Sequence, residues 1–284
     1  MITRAEKNKK IRDEIIREEN QKRLKKTAKI LSSILAIILL ILCLGMYVGA
    51  KIVVVKEARI ENSEIPKSIH GLKVVQISDL LYNSLTKNDL NRIKKQVNEI
   101  NPDILIFTGD LKRKDIELSK KDIEILENFF KELKATKEKF AVIGENDDDS
   151  FYVIMENSNF KVLNNKKESF FYKDATPIDF IGFNTNDLKF DNLDSSVFSI
   201  CIMHNPDKIE DIIEHVNCRV AFAGDTIGGE IRVFGIPLLD NHKHNKDYEI
   251  INNTKLYVSN GLGNECNVRY FNHPSIQLFR LVSY

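Results

Sequence analysis

The chain has 284 residues with 42 Lys and Arg against 41 Asp and Glu, a formal net charge of +1. That length allows one large domain plus an appendage. The near balance hides an asymmetry: residues 1–29 carry 11 basic and 5 acidic side chains, so the remainder is net acidic, which argues against nucleic acid as the main partner.

The first predicted element is Ile30–Ala50, "ILSSILAIILLILCLGMYVGA", 21 residues without a charge. At about 1.5 Å per residue a helix of that length spans the roughly 30 Å hydrocarbon core of a bilayer. A cleaved signal peptide would have a shorter apolar stretch and a far shorter leader, so a retained single-pass anchor is the reading taken. The basic flank "KRLKKTAK" precedes the span, and only Lys51 and Lys56 follow closely. The positive-inside rule then places residues 1–29 in the cytoplasm, as a solvated basic helix that sets topology, and residues 51–284 outside.

Beyond the span, "KIVVVKEARIE" reads as a first strand and "LKVVQIS" (72–78) as a buried one. Lys87–Ile100 places Leu90, Ile93, Val97 and Ile100 on one helical face, and Asn101-Pro102 stops it. "DILIFTG" (103–109) is a second buried strand. A helix is predicted over Ile116–Leu133, with Ser119 and Asp122 spaced as a cap. "KFAVIG" (139–144) is a third strand. This alternation points to an α/β domain with a largely parallel sheet. The second half is richer in strands ("ESFFYK", "PIDFIGFN", "FSICIMH", "RVAFAG", "IRVFG", "TKLYVSNG", "IQLFRLVS"), with one short helix at 207–216. Of the four cysteines, Cys43 lies in the span. Cys201, Cys218 and Cys266 read as buried free thiols, with one disulfide open to them outside the cytoplasm.

The strand ends present Ser78-Asp79, Gly109-Asp110, Gly144-Glu145-Asn146-Asp147, Met203-His204 and Gly224-Asp225. One acid at a strand end is usually a cap or turn residue. Four acids and a histidine at the carboxyl ends of five apolar runs would, if converged, form a buried anionic cluster that needs a cation. His242 and His244 in "DNHKHNKD", and His273 in "FNHPS", read as solvated loop residues that could supply replacement ligands. "NDDD" (146–149) lacks the alternating spacing of a calcium loop and reads as a polar turn.

In these motifs the sequence resembles the calcineurin-like metallophosphoesterases, in their membrane-anchored bacterial branch, over about residues 55–284. The family pattern is D-x-H, G-D, G-N-H-[DE], a single H, then G-H-x-H-G-G-Q. This chain offers "SDLLYN", "FTGDLK", "VIGENDD", "IMHNPD" and "AGDTIGGE". The resemblance implies a four-layer α/β sandwich, two facing mixed sheets flanked by helices, behind one transmembrane helix. The domains would be a basic tail (1–29), the anchor (30–50) and the metallophosphoesterase domain (51–284). It also implies a two-metal site at the sheet edges, and there the chain departs from the family. The first metal's positions fall on Asp79, Leu81, Asp110 and Ile227, with both histidines replaced by aliphatic residues. The second metal's positions fall on Asp110, Glu145, His204 and Asp225, all able to ligate. A two-metal centre is therefore not expected. One divalent cation is, and oxygen-rich ligands suit Mn²⁺, Mg²⁺ or Ca²⁺ better than zinc. Asn146 stands where the family has its catalytic histidine; it can hydrogen-bond phosphate but cannot donate a proton as an acid. Two readings stay open. One is a weak or altered phosphoesterase of cell-envelope phosphoesters. The other is a non-catalytic extracytoplasmic binding or scaffold domain, a pseudoenzyme that one metal would stabilise.

Overall fold

The computed structural model describes residues 4–173, 175–226, 232–233, 236–237, 242–265 and 269–284. Ile227 and Cys266 lie outside them. The chain divides into two compact units at Met46/Tyr47. Helix α1 (Arg4–Gly49) begins in the first, runs through the basic tail and the apolar run alike, and ends in the second. Among the described residues one helix is long and apolar enough to cross a membrane, and none of its apolar window is buried.

The second unit is built on two six-stranded sheets. The first contains β1 (Val54–Glu61), β2 (Lys73–Ile77), β3 (Ile104–Phe107), β4 (Glu138–Ala141), β5 (Lys161–Val162) and β14 (Ser275–Val282), in the order β1-β14-β2-β3-β4-β5. β2 to β5 are parallel, as the alternation with helices requires. β14 runs antiparallel to β2, and β1 runs parallel to β14, so the sheet is mixed. The second sheet contains β6 (Lys166–Phe170), β7 (Ile178–Gly182), β8 (Ser199–Ile202), β9 (Val220–Ala223), β12 (Tyr248–Ile251) and β13 (Thr254–Val258). Its centre, β7-β8-β9-β13, is parallel. A small ribbon pairs β10 (Arg232–Val233) with β11 (Ile236–Pro237).

Side-chain alternation assigns the layers. Val74, Ile104, Ile106 and Phe140 of the first sheet meet Phe180, Ile200, Ile202 and Phe222 of the second in a shared core. Val75, Leu105 and Phe107 point the other way. They pack under helices α2 (Lys87–Ile100), α3 (Lys120–Glu132) and α4 (Asp149–Asn157). Cys201, Met203 and Ala221 pack under α5 (Ile209–His215). The result is helix, sheet, sheet, helix, as the resemblance implied.

α2 keeps its expected bounds, with a capping box at Thr86/Asp89 and a left-handed Asn101 at its end. α3 starts four residues later than its periodicity suggests, because Ser119 and Asp122 form the capping box themselves. α4 and β12 were not anticipated: the polar turn at 146–149 ends in Asp148, which caps α4 through its bond from the Ser150 amide. Of the alternatives left open for the cysteines, the disulfide replaces the free-thiol reading for two of them. Cys201 and Cys218 are joined in a disulfide, with Cα atoms 5.8 Å apart. The apolar runs carrying them hid that the chain after α5 returns beside β8.

Candidate metal centre

β2, β3, β4, β8 and β9 all end at one edge, and short loops leave each end. Backbone hydrogen bonds lace those loops together. The Asp79 amide donates to the Gly109 carbonyl at 2.9 Å, and Leu81 to Asp110 at 3.2 Å. Gly224 donates to His204 at 2.8 Å, and Gly263 to Asp79 at 2.7 Å. Asp79, Leu81, Asp110 and Asp225 all hold left-handed backbone conformations, with φ of 48°, 40°, 60° and 66°. Such strain in non-glycine residues costs of order 1–2 kcal/mol each and collects at functional sites. Glycine is required by contact at several positions of this edge. A β-carbon on Gly144 would collide with Asp110 Oδ1, and one on Gly109 would lie 2.6 Å from the Gly144 nitrogen.

Asp79, Asp110 and His204, all buried, each offer a ligand atom within 4.8 Å of the others. His204 Nδ1 lies 2.7 Å from the Thr108 carbonyl, so Nδ1 carries the hydrogen and Nε2 is aimed into the cluster. Nε2 stands 3.4 Å from Asp110 Oδ2 and 3.6 Å from Asp225 Oδ1, too far for good hydrogen bonds. It has no hydrogen-bond partner, and neither do Asp79 Oδ2 and Ser78 Oγ beside it. Asp79 uses only Oδ1, which accepts the Asp225 amide at 3.1 Å. Asp110 accepts the Asn146 amide at 3.0 Å on Oδ1 and the Asn146 side chain at 2.6 Å on Oδ2.

The electrostatics follow from burial among like charges. Desolvation pushes the Asp79 carboxyl up to about 7, against the pull of His204 and with the push of Asp110. Burial also acts to raise Asp110, but His204 and the Asn146 hydrogen bonds hold it below its ordinary value. Asp225 resists the same desolvation through His204 and His242 and is held well below the carboxylate range. Burial opposes charge on His204, yet Asp110 and Asp225 outweigh it and raise the imidazole well above its ordinary value. A proton on His204 thus takes part of the role a cation would have.

A family model described as calcineurin-like phosphoesterase matches residues 72–227, more than half of the chain. The chain belongs to the calcineurin-like phosphoesterase family. The uncharacterized metallophosphoesterase YkuE of Bacillus subtilis is 26% identical over 258 residues, covering 84% of this chain and 88% of its own. The UDP-2,3-diacylglucosamine pyrophosphatase LpxG of Chlamydia muridarum is 42% identical over 81 residues, 28% of this chain and 23% of its own. A Danio rerio protein named transmembrane protein with metallophosphoesterase domain is 38% identical over 58 residues, 20% of this chain and 13% of its own. This chain therefore matches most of the first relative's length but less than a quarter of the other two.

The donor set fits a divalent cation. Two orphaned buried atoms, Asp79 Oδ2 and His204 Nε2, lie with an Asp110 oxygen in one small cluster, and carboxylates with an imidazole can ligate a divalent cation. The expected residues do not all converge. Glu145 is exposed and accepts from Asn205 Nδ2 at 2.8 Å. Leu81 is buried in a left-handed conformation and offers no ligand atom. Of the loop histidines, His242 reaches the site, with Nε2 3.0 Å from Asp225 Oδ2. His244 is buried between Glu249 and Glu210. His273 Nδ1 lies 3.0 Å from the Gly49 carbonyl.

Sequence reasoning missed two residues. Asp147 accepts backbone N–H bonds from Asp110 and Gly144 at 2.9 Å and from Leu111 at 2.7 Å, fastening the β3 and β4 loops together. Burial and Asp110 push its carboxyl up to about 6. Its signal was its place at the acidic end of G-N-H-[DE]. Buried Arg269 donates to the Asn260 and Gly263 carbonyls and to Asn264 Oδ1, holding the 260–264 loop against Asp79. A single arginine between loops carries no sequence signal.

Proposed function

We propose that this protein is a membrane-anchored phosphoesterase of altered type, holding one divalent cation in place of the family's pair and turning over slowly. The observation that supports it best is the pair of buried, unpartnered atoms, Asp79 Oδ2 and His204 Nε2, aimed at the same cluster as Asp110. Asp79, Asp110, His204 and Asp225 Oδ1 would hold the cation, with Glu145 reaching it only by a side-chain rotation. A bound cation would supply charge neutralisation and acidify a water molecule. In the hydrolysis, a water oxygen bonds to phosphorus while the ester P–O bond breaks. Its electron pair leaves on the ester oxygen, which takes a proton from that water. Asn146, fixed against Asp110, orients that carboxylate and supplies hydrogen bonding at the cluster's edge. With Leu81 unable to ligate and no histidine at position 146, turnover falls by several orders of magnitude from the two-metal level.

Leu81 and Asn146 also favour a second reading, a non-catalytic binding domain stabilised by the same cation. The disulfide between Cys201 and Cys218 supports placing the body outside the cytoplasm, in agreement with the charge asymmetry around the span. The deciding experiment is calorimetric titration of the full chain in detergent with Mn²⁺, with Asp225→Ala as control, followed by phosphomonoester and phosphodiester assays. Saturation near one equivalent, lost in the variant, with slow Mn²⁺-dependent turnover is expected. Binding without turnover selects the second reading, and no binding refutes both.

A further inference from the structure

The strand directions fix where the chain enters the body. β1 and β14 run opposite to β2, β3 and β4, so they start at the edge where the others end. By register Val54 pairs with Ser275, and Gln277 with Gln76, which sets Ser275 across from the end of β2 just before Asp79. β1 is two strands from β2, or about 10 Å at the usual interstrand spacing. Only residues 51–53 separate β1 from Ala50, the last residue of the apolar run. Gly49 and Ala50 are themselves buried in the body. The Gly49 carbonyl meets His273, and a β-carbon on Gly49 would press on the Arg269 carbonyl. Arg269 in turn holds the loop that backs Asp79.

The same rim carries apolar side chains with no cover among the described residues. Val48 is 49% exposed, Ile52 47%, Val55 43% and Phe271 73%. Phe271 also holds a left-handed backbone, φ 54°, an arrangement that costs energy and in water returns nothing. Aromatic rings beside the end of a spanning helix belong at the headgroup level of a bilayer.

From this placement we infer that the metal-site mouth faces the bilayer surface and takes a phosphoester whose apolar body stays in the membrane. The inference rests on the anchor and on the phosphoester reading given above. Residues 51–53 can span at most about 10 Å and two strands add about 10 Å, so the mouth lies within roughly 20 Å of Ala50 at the end of the apolar run. A soluble phosphoester would gain nothing from that tether, whereas a lipid phosphoester is concentrated in the plane the site overlooks.

The protein has no tryptophan, so an introduced one reports alone. Phe271→Trp and Tyr284→Trp would be made in the full chain and reconstituted in phosphatidylcholine vesicles brominated high on the acyl chains. Tyr284 is 78% exposed and follows β14, whose far end pairs with the start of β2, away from the site. Tryptophan at 271 should lose about half its emission, and tryptophan at 284 almost none. Equal quenching at both positions, or none at either, would overturn the apposed mouth. In the same vesicles with Mn²⁺, long-chain phosphatidate is compared with soluble glycerol phosphate. Phosphatidate should turn over at least roughly tenfold faster. Equal or faster turnover of glycerol phosphate overturns the membrane-resident substrate. Turnover of neither, with the quenching pattern intact, refutes hydrolysis as the function and this substrate with it, while the quenching result stands apart.

Discussion

Asp79→Asn should make the metal-free protein more stable at pH 8 and blind to cations. Asp79 is 1% exposed, and its Oδ2 has no partner. Its carboxyl is raised from 3.8 to about 7, which at about 1.4 kcal/mol per pH unit is worth ~4 kcal/mol. Because the folded value lies above the unfolded one, the native state holds more protons between about pH 4 and pH 7. Stability from this group is therefore lost as pH rises through that window, and at pH 8 the whole cost is present. Asparagine removes the charge and can still accept the Asp225 amide. Its NH₂ then sits where Oδ2 had no partner, at a cost of about 1–3 kcal/mol. The net expectation is a gain of about 1–3 kcal/mol. Urea unfolding of chelator-treated full chain in detergent, followed by tyrosine fluorescence, measures it. With Mn²⁺ at 100 times its Kd the wild type should recover about 2.7 kcal/mol and the variant nothing. A metal-free variant less stable than wild type at pH 8 would refute the reasoning, since Asp79 would then be paired in the fold and not waiting for a cation.

Three further outcomes are expected. Asp147→Ala strands three backbone donors at the joined β3 and β4 loops and should cost about 3–5 kcal/mol in urea unfolding, with Asp147→Asn milder because one oxygen can still accept; a loss under ~1 kcal/mol for the alanine variant would remove Asp147 from that role. His242→Ala frees Asp225 Oδ2 and should weaken Mn²⁺ binding by roughly 10-fold, with unchanged urea stability. An unaltered Kd would show that His242 does not position Asp225. Reduction of the Cys201–Cys218 bridge, whose cysteines are 17 residues apart, should cost about 3 kcal/mol on the chain-entropy estimate, and maleimide should label the unfolded chain at these two positions only after reductant is added.

The fold was legible where burial is two-sided. "LKVVQIS" and "DILIFTG" could only be central strands, because continuous apolar runs that short have no other home in an α/β domain. α4 was illegible because its signal, Asp148 as cap, sits inside a run of four polar residues. The carboxylates at strand ends were legible as a set, since the parallel strands of each sheet must deliver them to one edge. Their convergence was not. Glu145 and Asp147 sit two residues apart in one loop, yet one points to Asn205 and the other inward to three amides. The backbone geometry that separates them is set by packing against Gly109 and Asp110 from another strand. His242 was hidden for the same reason: its loop folds back on Asp225, and loop placement is written in tertiary contacts, not in local pattern.

Leu81 separates what the loops preserve from what the side chains do. Its amide donates to Asp110, and its neighbour Asp79 is held by Gly109, Gly261 and Gly263. The left-handed turn is thus over-determined by the end of β3 and the 260–264 loop and does not depend on a ligand at position 81. A leucine in that conformation costs about 1–2 kcal/mol and cannot coordinate anything. Its apolar side chain, buried beside Gly263, recovers that cost through about 1.5–3 kcal/mol of burial. The same exchange would be ruinous at Asp79 or His204, where the buried atoms left without partners have no apolar compensation. Position 81 can therefore be hydrophobic packing without disturbing the loops. The cluster of Asp79, Asp110 and His204 stays destabilising until a cation, or a proton on His204, neutralises it.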